Sequence, residues 1–389
     1  MSVTYQQLNP VVFGNGAIRE LGERVKSLGC SKVLCVYDAG VLAAGIAPKA
    51  EASLRAAGVQ CVIFDRVEAD PTDLLVNEAG ALALASKVDG VVAVGGGSSM
   101  DLAKAASLLL KYPAPIQQYF TAPPSFLDAP VPVILVPTTS GTGSEVTQVA
   151  VITRTEDHSK PSVFLRSALA IVDPELTYSV PAGVTANTGL DAFTHAAEAI
   201  TAKGRNPRSE LLAVAAIEKI VKYLPAAIAD GKDAEARYHL SLAANWAGIA
   251  FADADCHLGH TMADGISSTF HTPHGYNCIM VNPELMAACA QVIPDEVKTV
   301  GKAAGVVFSG GETPAEIGKM TADSIRALMK ACGIRHPREY GMDRERFIAC
   351  ADMAAEIDFG LRLNCVFDVV GENRRDVIAD LYAKTYDNY

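Results

Sequence analysis

Gly90-Val91-Val92-Ala93-Val94 runs directly into Gly95-Gly96-Gly97-Ser98-Ser99-Met100-Asp101, and a helical pattern continues from Leu102 to Leu110. The apolar run predicts a buried strand, and the glycines predict a tight passage from strand to helix. Three further apolar runs belong with it: Val33 to Tyr37, Val59 to Phe64 and Val131 to Val136. Helical patterns lie between them, Ala47 to Ala57 and Leu74 to Lys87. Strand and helix alternating at this spacing require right-handed crossovers and a parallel sheet. Ligands of such sheets bind at the carboxyl ends of the strands.

The glycine triplet sits at such an end. Without side chains the backbone can approach a ligand closely, and the following helix offers unpaired N–H groups to a phosphate. The spacing is not GxGxxG, and a strand-to-helix turn capped by Ser or Asp accounts for it equally well. A second small, hydroxyl-rich turn, Pro137-Thr138-Thr139-Ser140-Gly141-Thr142-Gly143-Ser144-Glu145, follows the fourth strand. Two such turns on neighbouring strands suit a diphosphate. Asp38 ends the first strand, where a carboxylate can accept hydrogen bonds from both ribose hydroxyls and repel a 2′-phosphate, or simply cap a turn.

From about residue 181 the strand signals stop. Leu190 to Thr201, Pro207 to Leu224, Ala234 to Ala252, Thr313 to Ala331 and Arg344 to Glu356 carry helical periodicity. Turn chemistry at Val172-Asp173-Pro174-Glu175-Leu176 and Pro181-Ala182-Gly183 places a boundary near 180.

The 389 residues leave room for two or three domains, and half are hydrophobic, which excludes a disordered chain. A formal charge of −11 argues against nucleic acid or an anionic membrane as the main partner. The nine cysteines are odd in number and show no CxxC spacing, so neither a disulfide framework nor a thiolate metal site is expected, and a reducing compartment is. No signal peptide or membrane span is recognisable, and a soluble cytoplasmic enzyme is expected.

Histidines mark the remaining chemistry. Asp191 and His195 stand four apart on a predicted helix and share one face. That geometry serves two ligands of one cation, or an ordinary carboxylate–imidazole pair. Four of the eight histidines, His257, His260, His271 and His274, fall within residues 256–275. Asp191, His195 and two of these four would form a mixed N/O site suited to Fe²⁺ or Zn²⁺, with a net charge of +1 able to polarise a carbonyl or stabilise an alkoxide. His158, His239 and His336 are scattered, as surface or structural histidines would be.

GGGSSMDLAK (95–104), PTTSGTGSEVT (137–147), IVDPELTYSVP (171–181), TANTGLDAFTHAAEA (185–199) and HTPHG (271–275) occur in this order. In this set the chain resembles the iron-containing, group III alcohol dehydrogenases, from about Phe13-Gly14-Asn15-Gly16 to about residue 285 and weakly to the end. The resemblance implies an α/β N-terminal dinucleotide-binding domain with a parallel sheet (1–180) and an all-α C-terminal domain for metal and substrate (181–389), a dehydroquinate synthase-like fold with the active site in the cleft between them. It implies Asp191, His195, His260 and His274 as metal ligands. Gly96, Gly97 and Ser98, in the turn that ends at Asp101, should hold the pyrophosphate, assisted by Thr138, Thr139 and Thr142. Asp38 stands at the family's ribose position and implies NAD rather than NADP. Lys160 matches a lysine near the cofactor ribose, and Phe251 an aromatic near nicotinamide and substrate. The family pattern further implies reversible hydride transfer between NAD and a small primary alcohol or aldehyde, and a homodimer or an assembly of dimers.

Three positions depart from that pattern. Asp264 replaces a histidine close to the reacting carbon, Asp70 replaces an asparagine on the cofactor side, and the C-terminal Asn-Pro-Arg signature survives only as Asn373-Arg374-Arg375. Asp264, four residues after His260, is expected to face the metal and relay a proton, orient substrate or join the ligand shell. His257 is expected to be structural, and His271, in the loop of His274, is a candidate substrate contact. Zinc polyol dehydrogenases, hydroxyacid–oxoacid transhydrogenases and a cofactor-binding protein without catalysis are the alternatives that the same fold admits.

Overall fold

Three of the four apolar runs form the middle of one sheet, and the fourth, Val59 to Phe64, lies at its edge. A computed structural model describes residue 5 and residues 7–120, 126–157, 159–357 and 359–389. The chain divides into two units, Gln7–Val180 and, apart from the leading residues, Pro181–Tyr389. Among the described residues the first unit holds strands β1 (Val11–Phe13), β2 (Lys32–Asp38), β3 (Gln60–Val67), β4 (Gly90–Gly95), β5 (Phe126–Leu127), β6 (Val133–Pro137), β7 (Val149–Val151), β8 (Ser162–Leu165) and β9 (Leu169–Val172). Its helices are α1 (Leu21–Ser27), α2 (Ala39–Ala43), α3 (Ile46–Ala56), α4 (Asp73–Ala85) and α5 (Gly97–Leu108).

The main sheet runs β1-β9-β6-β4-β2-β3, and each pairing is parallel. Both faces of its centre are covered, which is why β2, β4 and β6 are apolar without alternation. Leu34, Val36, Val91, Ala93, Val133 and Leu135 pack into one core, and Val33, Cys35, Val92, Val94, Ile134 and Val136 into the other. From β2 the chain passes to β3 at the edge, then returns to β4 on the other side of β2. The order therefore reverses between β2 and β4, and a ligand crevice is expected outside their carboxyl ends. Asp38 and the glycine triplet stand there. The small sheet β5-β8-β7 is tied to α5 by Lys104, whose Nζ donates to Ser144 O and Val149 O at 2.6 and 2.8 Å.

The second unit is helical: α6 (Ala182–Thr201), α7 (Pro207–Ala229), α8 (Ala234–Ala254), α9 (Leu258–Phe270), α10 (His274–Ala290), α11 (Pro294–Ala303), α12 (Pro314–Ala331), α13 (Arg344–Ala354), α14 (Phe359–Asn364) and α15 (Arg374–Asp387). Helix α6 is buried along all its sides from Gly189 onward and packs against α7, α8 and α10. Its Ala-rich composition suits that central place. No helix among the described residues is long and apolar enough to cross a membrane.

Two starts differ from expectation. Helix α5 begins at Gly97 rather than Leu102, because the glycine turn is itself the first helical turn. Helix α6 begins at Ala182 rather than Leu190, its polar first turns being half exposed while its later ones are buried. The histidine-rich stretch carries helices α9 and α10, joined by three residues, so His274 opens a helix rather than sitting in a loop with His271.

Candidate metal centre and cofactor cradle

Three helices deliver the metal-ligand candidates. Helix α6 places Asp191 and His195 one turn apart, α9 carries His260 in its first turn, and α10 starts at His274. Glycines allow this approach: a Cβ at Gly275 would lie 2.0 Å from Asn187 O, and one at Gly259 would lie 2.4 Å from Glu198 Oε1. The four expected ligands come together around one atom. Asp191 Oδ1 lies 4.0 Å from His195 Nε2, 3.9 Å from His260 Nε2 and 3.7 Å from His274 Nε2. These separations are too long for hydrogen bonds and short enough for donors that share one ion at ~2.0–2.2 Å. Asp191 Oδ1 and His260 Nε2 are buried with no hydrogen-bond partner. Such groups are costly unless something satisfies them, and a divalent cation does so for both. The residues fit the metal.

Neighbours hold these rings in place. Phe251 stacks on His195 at 4.3 Å and His195 stacks on His260 at 4.7 Å, each at 17°. Glu198 Oε1 lies 2.7 Å from His260 Nδ1, on the side of the ring away from the cluster. Its other oxygen accepts from the His257 backbone N–H at 2.7 Å. Burial pushes the Glu198 carboxyl up, but the charges of His260 and His257 and their hydrogen bonds outweigh it and hold the group at about 2. His257 is fully buried, with Nε2 2.8 Å from Thr201 Oγ1, which is a structural role. Asp264 shares α9 with His260, and its Oδ1 lies 3.8 Å from His274 Nδ1. His271 caps α9 at φ 53°, exposed, and is not drawn into either group of ligand-competent side chains.

Two groups were not legible from spacing. Glu198 was missed although a lone acid in the alanine-rich run Thr194-His195-Ala196-Ala197-Glu198-Ala199 was a usable signal. Two cysteines also lie closer to the ligand candidates than the absence of CxxC spacing suggests. Asp191, His260, His274 and Cys278 present ligand atoms within 4.8 Å of one another, as do His195, Cys256 and His260. Each cysteine stands four residues from a ligand candidate, Cys256 before His260 and Cys278 after His274, a spacing that CxxC does not register. All nine cysteines are free, and burial pushes the Cys256 and Cys278 thiols up to about 12.

The cofactor candidates gather in the first unit. Gly95 pairs with Pro137 at the carboxyl ends of adjacent strands β4 and β6, so the two hydroxyl-rich turns are side by side. Gly96 precedes α5 with no side chain capping the helix, which leaves its first amides to a ligand. A Cβ at Gly97 would meet Thr142 Cγ2 at 2.8 Å, and one at Gly96 would meet Thr139 Oγ1 at 3.4 Å. Gly96, Gly97, Ser98, Thr139 and Thr142 are half-buried, Thr138 is buried, and the Ser99 hydroxyl beneath them is buried without a partner. This bare helix end fits a pyrophosphate. Asp38 closes β2 and caps α2, its Oδ1 accepting from Val41 N at 2.9 Å, while Oδ2 faces Gly95. Lys160 Nζ donates to Asp70 Oδ1 at 3.0 Å, which joins two candidates into one pair.

Asp101 is different. Its carboxylate accepts from Ser144 Oγ at 2.6 Å and from Val151 N at 3.1 Å, so it braces the second turn from behind rather than presenting oxygen to a cofactor. The outlying histidines are structural where described. His239 stacks on Tyr223 and His336 bonds Tyr386 O, whereas His158 lies outside the described residues.

Comparison with known proteins extends this geometry. Residues 9–174 match the family model for iron-containing alcohol dehydrogenase, and residues 185–386 match that for the family's C-terminal part. A choline dehydrogenase from Bacillus subtilis is 38% identical over 309 residues, covering 78% of this chain and 77% of that protein. An NAD-dependent methanol dehydrogenase from Bacillus methanolicus is 38% identical over 275 residues, covering 70% and 71%. The crystal structure of a 1,3-propanediol oxidoreductase superposes with a TM-score of 0.92 at 31% identity, covering 99% of this chain and 100% of that one.

Proposed function

The chain belongs to the iron-containing alcohol dehydrogenase family, and we propose that it interconverts a small primary alcohol and its aldehyde with NAD(H), using Asp191, His195, His260 and His274 as metal ligands. NAD-linked alcohol and aldehyde oxidoreduction is the activity of the family. The small substrate is supported by similarity to relatives named for methanol and 1,3-propanediol.

When bound, Fe²⁺ or Zn²⁺ supplies Lewis acidity at the substrate oxygen, and NAD supplies the hydride acceptor. Asp191 and the three imidazoles hold the cation. Glu198 keeps the His260 proton on Nδ1, which leaves the Nε2 lone pair for the metal. Asp264 Oδ1, 3.8 Å from His274 Nδ1 and beyond hydrogen-bond reach, acts on that ring through its charge. Phe251 shields His195 from water. In the other unit, the amides of Gly97 and Ser98 at the α5 end hold the pyrophosphate, with Gly96 giving close access and Thr139 and Thr142 alongside, and Thr138 supports the turn. Asp38 accepts hydrogen bonds from the ribose hydroxyls, and Lys160, steadied by Asp70, lies toward the same sugar.

The observation that carries this reading is Asp191 Oδ1, buried and unpartnered with three imidazole nitrogens 3.7–4.0 Å away. The test is NADH oxidation with a panel of small aldehydes, using chelator-stripped protein with and without Fe²⁺ or Zn²⁺. Activity restored by the metal is expected. Metal that binds without restoring NADH oxidation by any aldehyde overturns the reading. Nine free cysteines support a reducing, cytoplasmic setting, and the family resemblance supports a homodimer or an assembly of dimers.

A further inference from the structure

Cys278 stands one turn after His274 on α10, so the two side chains share a helix face. Its Sγ lies 3.4 Å from His274 Nε2, the nitrogen that faces Asp191. Sulfur, carboxylate and two imidazoles, from Cys278, Asp191, His260 and His274, all present their ligand atoms within 4.8 Å of one another. Asp191 and His260 are 3% and 7% exposed, and both aim an unpartnered atom into this group. That contact is a hydrogen bond between the thiol and the imidazole, and it holds the sulfur among atoms that are close enough to share one ion. Cys256 also lies near the ligands, but its group contains His195 and His260 without the carboxylate.

We propose that Cys278 is a sulfur ligand of the metal centre and biases it toward Zn²⁺ over Fe²⁺. The inference rests on the metal-centre reading given above. On binding, a sulfur–metal bond forms and the S–H proton leaves to solvent. The donor set becomes one sulfur with nitrogen and oxygen, and the charge of the centre falls from +1 to zero with a divalent ion. Thiolate is a soft donor and favours zinc over ferrous iron, which nitrogen and oxygen donors accommodate more evenly.

Cobalt(II) is the probe. Chelator-stripped wild type, Cys278→Ser and Cys256→Ser proteins are each titrated with Co²⁺ alone. Visible ligand-field bands report the ion, and a near-ultraviolet charge-transfer band reports a thiolate bound to it. The wild type should show both. Cys278→Ser should keep the visible bands and lose the near-ultraviolet band, and Cys256→Ser should keep both. X-ray absorption of the zinc-loaded wild type should show a sulfur at ~2.3 Å, a result that depends on no variant. In competition titrations, Cys278→Ser should lower the Zn²⁺:Fe²⁺ affinity ratio by about tenfold or more. Ligand-field bands without a sulfur signal in the wild type, a charge-transfer band that survives Cys278→Ser, or an unchanged affinity ratio overturns the inference and leaves the metal centre standing. Failure of the wild type to bind cobalt overturns the metal-centre reading itself.

Discussion

Glu198 Oε1 and His260 Nδ1 are 2.7 Å apart, with the Glu198 side chain wholly buried, on the face of the imidazole opposite the nitrogen that looks toward Asp191. A ring held this way has one tautomer and one orientation, so its lone pair is aimed before any ion arrives. Glu198→Gln keeps the shape and removes the charge. Metal affinity should fall about ten- to a hundredfold, read by competition with a chromophoric chelator. Equal affinity in the two proteins would show that Glu198 serves packing alone.

The same carboxylate makes stability depend on acid. Its pKa in the fold is about 2 against an ordinary 4.5. A depressed carboxyl stabilises the fold fully above the unfolded value, and that stability drains away as pH falls from 4.5 through 2. The difference is worth on the order of 3 kcal/mol. Denaturant unfolding of chelator-treated protein at pH 5 and pH 3 should show a steeper loss for wild type than for Glu198→Gln. Parallel losses would place the acid sensitivity elsewhere.

Removing a ligand separates metal from fold. Asp191→Asn and His274→Ala each take away a donor without taking away a packed apolar side chain. Both proteins should keep wild-type far-ultraviolet circular dichroism and lose bound metal and aldehyde reduction together, as measured by elemental analysis and NADH oxidation. Normal metal content in both would remove the proposed ligand set.

What could be seen in the chain, and what could not, follows from range. The runs at 33–37 and 90–94, and 133–136 of the fourth, are buried on both faces, so composition alone marks them as central strands. Asp191 and His195 share a helix, so their i, i+4 relation is visible too. Asp101 was harder, because its partners Ser144 and Val151 are 43 and 50 residues away. Helices α9 and α10 were hidden by Gly259, Gly265, Pro273 and Pro283, residues that ordinarily break helices. Here two of them lie where helices press together: a Cβ at Gly259 would strike Glu198, and one at Gly265 would lie 2.8 Å from Tyr382 Oη. Cys278 is four residues from His274 on one helix, but Asp191 and His260 reach it from other helices, and that part is not legible in the sequence.

The cap that Asp38 makes and the ribose role proposed for it can be divided by substitution. Its Oδ1 caps α2, and its charge faces the ligand end of β4. Asp38→Asn preserves the cap and removes the charge, whereas Asp38→Gly removes both. The NADP:NAD ratio of kcat/KM should rise about tenfold or more in Asp38→Asn, since the repulsion of a 2′-phosphate is gone. Thermal stability should fall only in Asp38→Gly. An unchanged coenzyme ratio in both would leave Asp38 as a helix cap and nothing more.

Asp264 stands to His274 as Glu198 stands to His260, but less tightly. Its oxygen is 3.8 Å from Nδ1 rather than 2.7 Å, and its side chain is 20% exposed where that of Glu198 is wholly buried. Distance and water both weaken a charge's hold on an imidazole. Asp264→Asn should therefore weaken metal affinity and turnover in the same direction as Glu198→Gln, by about tenfold, and always by the smaller factor. Asp264→His, which puts an imidazole where the carboxylate was, should not rescue metal affinity, because a neutral ring lacks the negative charge beside His274. The measurements are chelator competition and steady-state kcat across pH 6 to 9 for all three proteins. If Asp264→Asn retains both metal and turnover, the carboxylate is an ordinary half-buried acid. If it loses turnover while metal affinity stays intact, the group acts on substrate rather than through His274.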